Sequence, residues 1–124
     1  MSTSEEMLKR GQEVMEKKGV WDVEAGHGGD QEFADLTQEM LYGGIFGRPG
    51  MSLRDRELIS MAVMVATGAD FDRLYNHFRN AHLLGITDRE VREMIFQVMF
   101  YAGWPKGAAA IRYFNRVKAG EKRK

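Results

Sequence analysis

The sequence predicts an all-α protein of about six helices, and three observations lead there. Apolar residues recur at helical spacing along nearly the whole chain, no segment alternates with period two, and glycine- and proline-bearing stretches cut it into helix-sized pieces. With 124 residues there is room for one core and not for two ordinary domains, so a single domain over residues 1–124 is expected.

The first helix is expected over residues 4–18, with Met7, Leu8, Val14 and Met15 on one face and charges elsewhere, which is the pattern of a surface helix docked by one stripe. A glycine-rich, acidic connector over residues 19–30 carries Trp21 and His27 and reads as irregular, either a linker or a mobile lid. The second helix, residues 31–41, places Phe33, Leu36 and Met40 at i, i+3 and i+7. It is expected to break at Tyr42-Gly43-Gly44-Ile45-Phe46-Gly47-Arg48-Pro49-Gly50, where four glycines, a proline and one arginine follow each other. Glycine lets backbone or ligand approach closely, so this stretch reads either as a shaped, anion-facing rim or as a tight connection between helices.

The third helix is expected from Ser52, where Ser52-x-x-Asp55 resembles a capping box, through Thr67 to a stop at Gly68. From Leu58 onward it is apolar around almost its whole circumference, Ser60 excepted, and such a helix is buried on all sides. The fourth, residues 70–84, ends at Gly85, and the fifth opens on the capping box Thr87-Asp88-Arg89-Glu90 and runs to about residue 101. These two form a helical hairpin. Gly103-Trp104-Pro105 then interrupts the chain, Pro105 suits the first turn of a sixth helix ending near residue 119, and the basic end, 118–124, reads as a solvated tail.

A helix buried on all sides is hard to cover with the few partners so small a domain supplies, so an obligate homo-oligomer is expected. Nine methionines fit adaptable packing at core or subunit contacts.

Eighteen basic and eighteen acidic side chains cancel, so no global field draws the chain to nucleic acid or to an anionic membrane. No apolar run has membrane-spanning length and the first ten residues are polar and acidic, from which a soluble, cytoplasmic protein is expected. Cysteine is absent, which removes disulfides, thiolate nucleophiles, redox dithiols and thiolate metal sites together. The three histidines, His27, His77 and His82, form no His-x-His or His-x-x-x-His pair, so no metal site is expected.

The order of several segments carries a resemblance: Tyr42 to Gly50 as a Tyr-Gly-x-x-x-x-Arg-Pro-Gly stretch, then Arg54 to Leu58 opening an apolar helix. His77 with Ala81 follows, then Gly85 to Glu90 as a Gly-x-Thr-x-x-Glu link, then Tyr101 to Pro105. Over residues 33–114 the chain resembles the carboxymuconolactone decarboxylase family. The resemblance implies an all-helical, alkylhydroperoxidase D-like fold assembled as an oligomer, a hexamer or trimer. It also implies either cofactor-free decarboxylation of 4-carboxymuconolactone, or of a related small carboxylated lactone, in aromatic-compound catabolism, or thiol-dependent peroxide reduction. The second activity needs a Cys-x-x-Cys pair, and at that place this chain has Ala69-Asp70-Phe71-Asp72. A non-catalytic or repurposed oligomeric module of the same fold is the alternative.

Decarboxylation of such a lactone needs little from a protein. The departing carboxylate sits on a carbon vinylogous to the lactone carbonyl, so the electron pair left behind delocalises into a dienolate. No cofactor is required. The protein must clamp carboxylates, stabilise the developing oxyanion and protonate carbon. The resemblance gives His77 the place of the general acid, and histidine titrates in the range that task needs; the other reading is a histidine hydrogen-bonded at a helix boundary. Glu57 enters an apolar helix, where a carboxylate must be paired or neutral, and it either orients His77 or shuttles a proton, or else forms a structural ion pair. Arg48 offers a planar fork to a small carboxylate substrate or is a surface arginine. Tyr42, Tyr101 and Trp104 line a pocket wall or belong to the core. His82 falls on the apolar side of its helix with Phe71, Tyr75 and Phe78, either as a core histidine or as a polar group in an altered pocket. Arg73 is a departure: relatives commonly carry Glu-Leu-x-x-His where this chain reads Arg73-Leu74-Tyr75-Asn76-His77, which puts a cation, and with it a further anion contact, one turn before the histidine.

Overall fold

A computed structural model describes residues 4–20 and 29–123. The core of the irregular connector, with Trp21 and His27, lies outside the described residues. Six helices and no strand are found among those described: α1 (Ser4–Lys18), α2 (Gln31–Leu36), α3 (Leu53–Ala66), α4 (Phe71–Asn80), α5 (Asp88–Ala102) and α6 (Trp104–Lys118). α2 runs on as a π-helical segment, Thr37–Phe46, and α4 tightens into a 3₁₀ turn, Ala81–Leu84. The chain divides into two compact units, Met1–Leu53 and Arg54–Lys124.

In the first unit α1 packs on the π-helical segment. Their backbones meet at glycines: a Cβ on Gly43 would lie 2.1 Å from the Met7 carbonyl oxygen, and one on Gly11 would lie 2.0 Å from that of Gln38. The Gln38 amide crosses the same contact to donate to the Leu8 carbonyl at 2.8 Å. Two expectations change here. The helix does not break at Tyr42, because the wider turn carries Gly43 and Gly44 against α1, and only Gly47 to Ser52 form the connection. The first glycines of that stretch therefore admit another helix. Phe33, Leu36, Met40 and Ile45 of α2 and its π-helical continuation are all exposed.

The second unit holds the main core. α4 is strongly one-sided, burying Phe71, Leu74, Tyr75 and Phe78, and Phe78 meets Phe114 of α6 edge-on with centroids 5.4 Å apart. α3 contributes Met61 and Val65, and α5 contributes Val91 and Ile95. Gly107 lets α6 close on α5, since a Cβ there would fall 2.5 Å from the Met99 side chain. Caps fix the ends: Asp70 accepts from the Arg73 amide, Thr87 and Glu90 form a full capping box, and Gly85 closes the 3₁₀ turn at φ 79°.

α3 departs from expectation. Its buried stripe is Glu57, Met61 and Val65, one residue per turn, while Ile59 and Val63 on the other side are 50% and 56% exposed. Within the second unit the helix is covered on one face only. The basic end is also less free than a solvated tail: Lys118 reaches Asp88 at 3.1 Å, Glu121 accepts from Arg116 Nε at 2.7 Å, and Arg123 lies over the Tyr75 ring.

Candidate active site

The central pair follows from the α3 stripe. Glu57 is the first member of a row whose next members, Met61 and Val65, sit in the core, so its carboxylate is carried inward to 4% side-chain exposure. A carboxylate taken out of water costs several kcal/mol unless something answers it, on the order of the penalty for burying any ion. The answer comes from α4. Asp70 starts that helix, its apolar face docks in the core, and His77, on the flank between Leu74 and Phe78, turns Nδ1 to Glu57 Oε1. The two are hydrogen-bonded and paired, and the imidazole keeps 25% of its side-chain surface exposed.

This arrangement assigns the ring nitrogens. When Glu57 is ionised its carboxylate can only accept, and the proton between the two groups then sits on Nδ1. A deeply buried carboxylate holding a partly exposed imidazole in one orientation is an arrangement capable of proton transfer.

A second tie lies at the start of α3. Arg54, one turn before Glu57, pairs with Glu90 at the start of α5 through Nη2 and Oε2, while Nη1 lies 3.6 Å from Asp55. Glu90 uses both oxygens: Oε1 accepts from the Thr87 amide at 3.1 Å and from its hydroxyl at 3.2 Å, and Oε2 takes Arg54. The Arg54 hydrogen bond, with those from Thr87, holds the Glu90 carboxyl below the usual carboxylate range. The capping box is legible in the sequence; its second partner 36 residues away is not.

The other expected residues fall as follows. Arg73 and His82 are exposed. Arg73 lends its amide to the Asp70 cap. His82 corrects an expectation: α4 ends at Asn80, the tighter 3₁₀ turn shifts the following side chains around the axis, and His82 leaves the apolar side for the surface with Nδ1 3.0 Å from the Arg79 carbonyl. Tyr101 and Trp104 stand exposed at the corner between α5 and α6, where Trp104 meets Phe100 edge-on at 5.8 Å. They form no part of the core.

Tyr42 and Arg48 belong to the first unit. Arg48 is exposed, its amide donating to the Ile45 carbonyl at 3.1 Å. Tyr42 packs on Phe46, and burial pushes its phenol up. The amine of Lys18 approaches the Phe46 ring to 4.1 Å, and burial lowers it from 10.5 to about 8. Sequence reasoning missed Lys18, whose place in the last turn of α1 reads as an ordinary basic end. Among the described residues no three His, Asp or Glu side chains converge as a metal site, and no helix is long and apolar enough to cross a membrane.

Comparison with known proteins places the chain in a family. The sequence pattern of the carboxymuconolactone decarboxylase family matches residues 31–116. The chain is 32% identical over 88 residues to 4-carboxymuconolactone decarboxylase of Acinetobacter baylyi, covering 71% of this chain and 65% of that protein. It is 33% identical over 89 residues to an uncharacterised 15.0 kDa protein of Paracoccus denitrificans, covering 71% and 66%. It is 30% identical over 71 residues to nitrosuccinic acid decarboxylase of Metarhizium robertsii, covering 57% and 49%. The chain thus spans just under two thirds of the length of the first two. The match takes in α2 to α6 almost entirely and includes both halves of the Glu57–His77 pair. The chain belongs to the carboxymuconolactone decarboxylase family.

Proposed function

We infer that this protein is a cofactor-independent carboxy-lyase that decarboxylates 4-carboxymuconolactone or a related small carboxylated lactone. The observation that carries the reading is the Glu57–His77 pair, a buried carboxylate fixing an imidazole that stays accessible. Two relatives are decarboxylases by name, one acting on the lactone and one on nitrosuccinic acid, and both names describe loss of a carboxylate.

In this reading the substrate's conjugated lactone takes up the electron pair of the breaking C–C bond. The imidazolium at His77 then gives its Nε2 proton to the dienolate carbon, and Glu57 holds the ring in place. Arg48 is the candidate clamp for a substrate carboxylate and Tyr42, Tyr101 and Trp104 are candidate pocket residues, while Arg73 and His82, which depart from the family pattern, are candidates for contacts particular to this chain's substrate. Peroxide reduction has no nucleophile in a cysteine-free chain. The working form is a homo-oligomer, a hexamer or trimer, supported by the apolar side chains that one chain leaves uncovered: Ile59 and Val63 on α3, and Phe100, Tyr101 and Trp104 at the α5–α6 corner.

The test is turnover of a panel of small lactone acids and 2-substituted succinates, followed by CO2 release. His77→Ala is expected to lower kcat by about 10²–10⁴-fold with the helical signal and assembly unchanged, and Arg48→Ala to act mainly on KM. Absence of turnover across the panel, or full activity in His77→Ala, refutes the reading.

A further inference from the structure

We propose that Arg54 is a positioning residue for the Glu57–His77 pair, and that Glu90 is the hinge-post it works through. The proposal rests on the decarboxylase reading only for its kinetic arm.

Three helices must agree for the pair to form. Glu57 stands one turn into α3 and His77 in the second turn of α4, and their contact depends on where the first turn of α3 is held. Helix ends fray, and the first turn has amides without partners inside the helix. Arg54 lies in that turn and reaches across to Glu90, whose other oxygen is already committed to the α5 cap. Glu90 is thereby fixed on α5 by Thr87 and offers Arg54 a stationary acceptor. α5 in turn is seated in the core by Val91 and Ile95, directly after the cap. The chain of restraint runs from that core through Val91, Glu90 and Arg54 to Glu57 and His77.

The chemistry favours positioning over stability. Arg54 and Glu90 are both partly exposed, with 35% and 40% of their side-chain surface accessible, and exposed ion pairs contribute little to folding. A planar guanidinium nonetheless fixes direction. Proton transfer is sensitive to displacements that stability barely registers, since an ångström of misplacement can cost on the order of a hundredfold in rate.

The test uses the full chain labelled with ¹⁵N-histidine, the His77 signals being assigned from His77→Ala, alongside the decarboxylation assay. Arg54→Met and Glu90→Gln separate the roles, because glutamine still serves the capping box while losing the charge for Arg54. Each is expected to shift the His77 ring nitrogen resonances and to lower kcat by about ten- to a hundredfold with KM changed by no more than about twofold. The double variant is expected to do no worse than the poorer single one, and Arg54→Lys to recover part of the loss. Arg89→Met, which removes the comparable exposed pair with Glu93 on α5, is expected to leave both readouts unmoved. Parent-like His77 resonances in Glu90→Gln, or an equal shift in Arg89→Met, overturns the proposal, and Glu90→Gln decides it if Arg54→Met does not fold. If the parent turns over no substrate while Arg54→Met still moves the His77 signals, the positioning stands and the decarboxylase reading falls. If the parent is active and both variants match its rate, the positioning falls alone.

Discussion

Substituting Gly43 by alanine sets two physical rules against each other, and they give opposite signs. Helix propensity alone expects a gain of about 1 kcal/mol when glycine in a helix interior becomes alanine. The structure expects a loss. A methyl carbon on Gly43 would lie 2.1 Å from the Met7 carbonyl oxygen, 3.0 Å from its carbonyl carbon and 3.2 Å from the Gly11 nitrogen, all of them backbone atoms of α1. No rotamer relieves such a contact, so α1 must lift by more than an ångström along its seam, and because only backbone atoms are met the overpacking cost falls in the upper part of its usual range, about 2–3 kcal/mol. The net expectation is a loss of about 1–2 kcal/mol, a fall in Tm of roughly 3–10 °C. Gly44 is the internal control: there the nearest atom is the Met7 methyl end at 3.2 Å, which can swing aside. Gly44→Ala is expected to be neutral or stabilising by up to about 1 kcal/mol. Circular dichroism during urea and thermal unfolding, with amide exchange reporting on α1, reads both variants. A Gly43→Ala protein as stable as its parent, or a Gly44→Ala protein that falls as far, refutes the packing argument.

Glu57→Gln keeps shape and removes charge, and is expected to lower kcat by about tenfold to a hundredfold, the rate equivalent of about 1.5–3 kcal/mol for a charge-assisted hydrogen bond, with little change in unfolding. Full activity in that variant would sink the role given to the carboxylate. Lys18 gives a pH signature. Its folded amine titrates near 8 against 10.5 when free, so below 8 it is charged in both states and the burial cost is fully present. As pH rises above 8 the folded form releases its proton first and the first unit gains stability, by about 2 kcal/mol at pH 10. Above 10 the phenol of Tyr42, held protonated by burial, works in the opposite sense. Urea unfolding at pH 8 and 10 reads the slope, and a flat or falling profile that Lys18→Met leaves unaltered would contradict it.

How much of this was legible in the sequence depends on the range of the interaction. Helix boundaries set by local chemistry were readable: α1 spans the expected residues, and the Thr87–Glu90 box and Gly85 mark the ends they announce. The Tyr42 to Gly50 stretch was misjudged because glycine serves a turn and a close helix crossing equally well, and only the position of α1 decides between them. The cover over α3 was not legible for a related reason. An apolar circumference states what a helix tolerates and not what one chain provides to cover it, and Ile59 and Val63 stay exposed. Glu57 is a candidate because a carboxylate entering an apolar helix needs a partner, and His77 because the family resemblance gives it the general acid's place; the structure makes them each other's partner. His82 was misplaced because a switch from α to 3₁₀ geometry leaves no strong mark in composition.

The π-helical segment makes this chain sensitive to residue number as well as to residue type. Each residue of a helix turns the side-chain direction by a fixed step, so deleting one position between Gln38 and Gly43 would swing Gly43 off the α1 seam and bring a side chain in its place. Conservative replacements along the segment leave that register alone, whereas a one-residue gap does not. The spacing from Gln38 to Gly43, one i→i+5 turn of the π-helix, therefore acts as a ruler between two docking points, and insertions or deletions inside it are the changes it tolerates least.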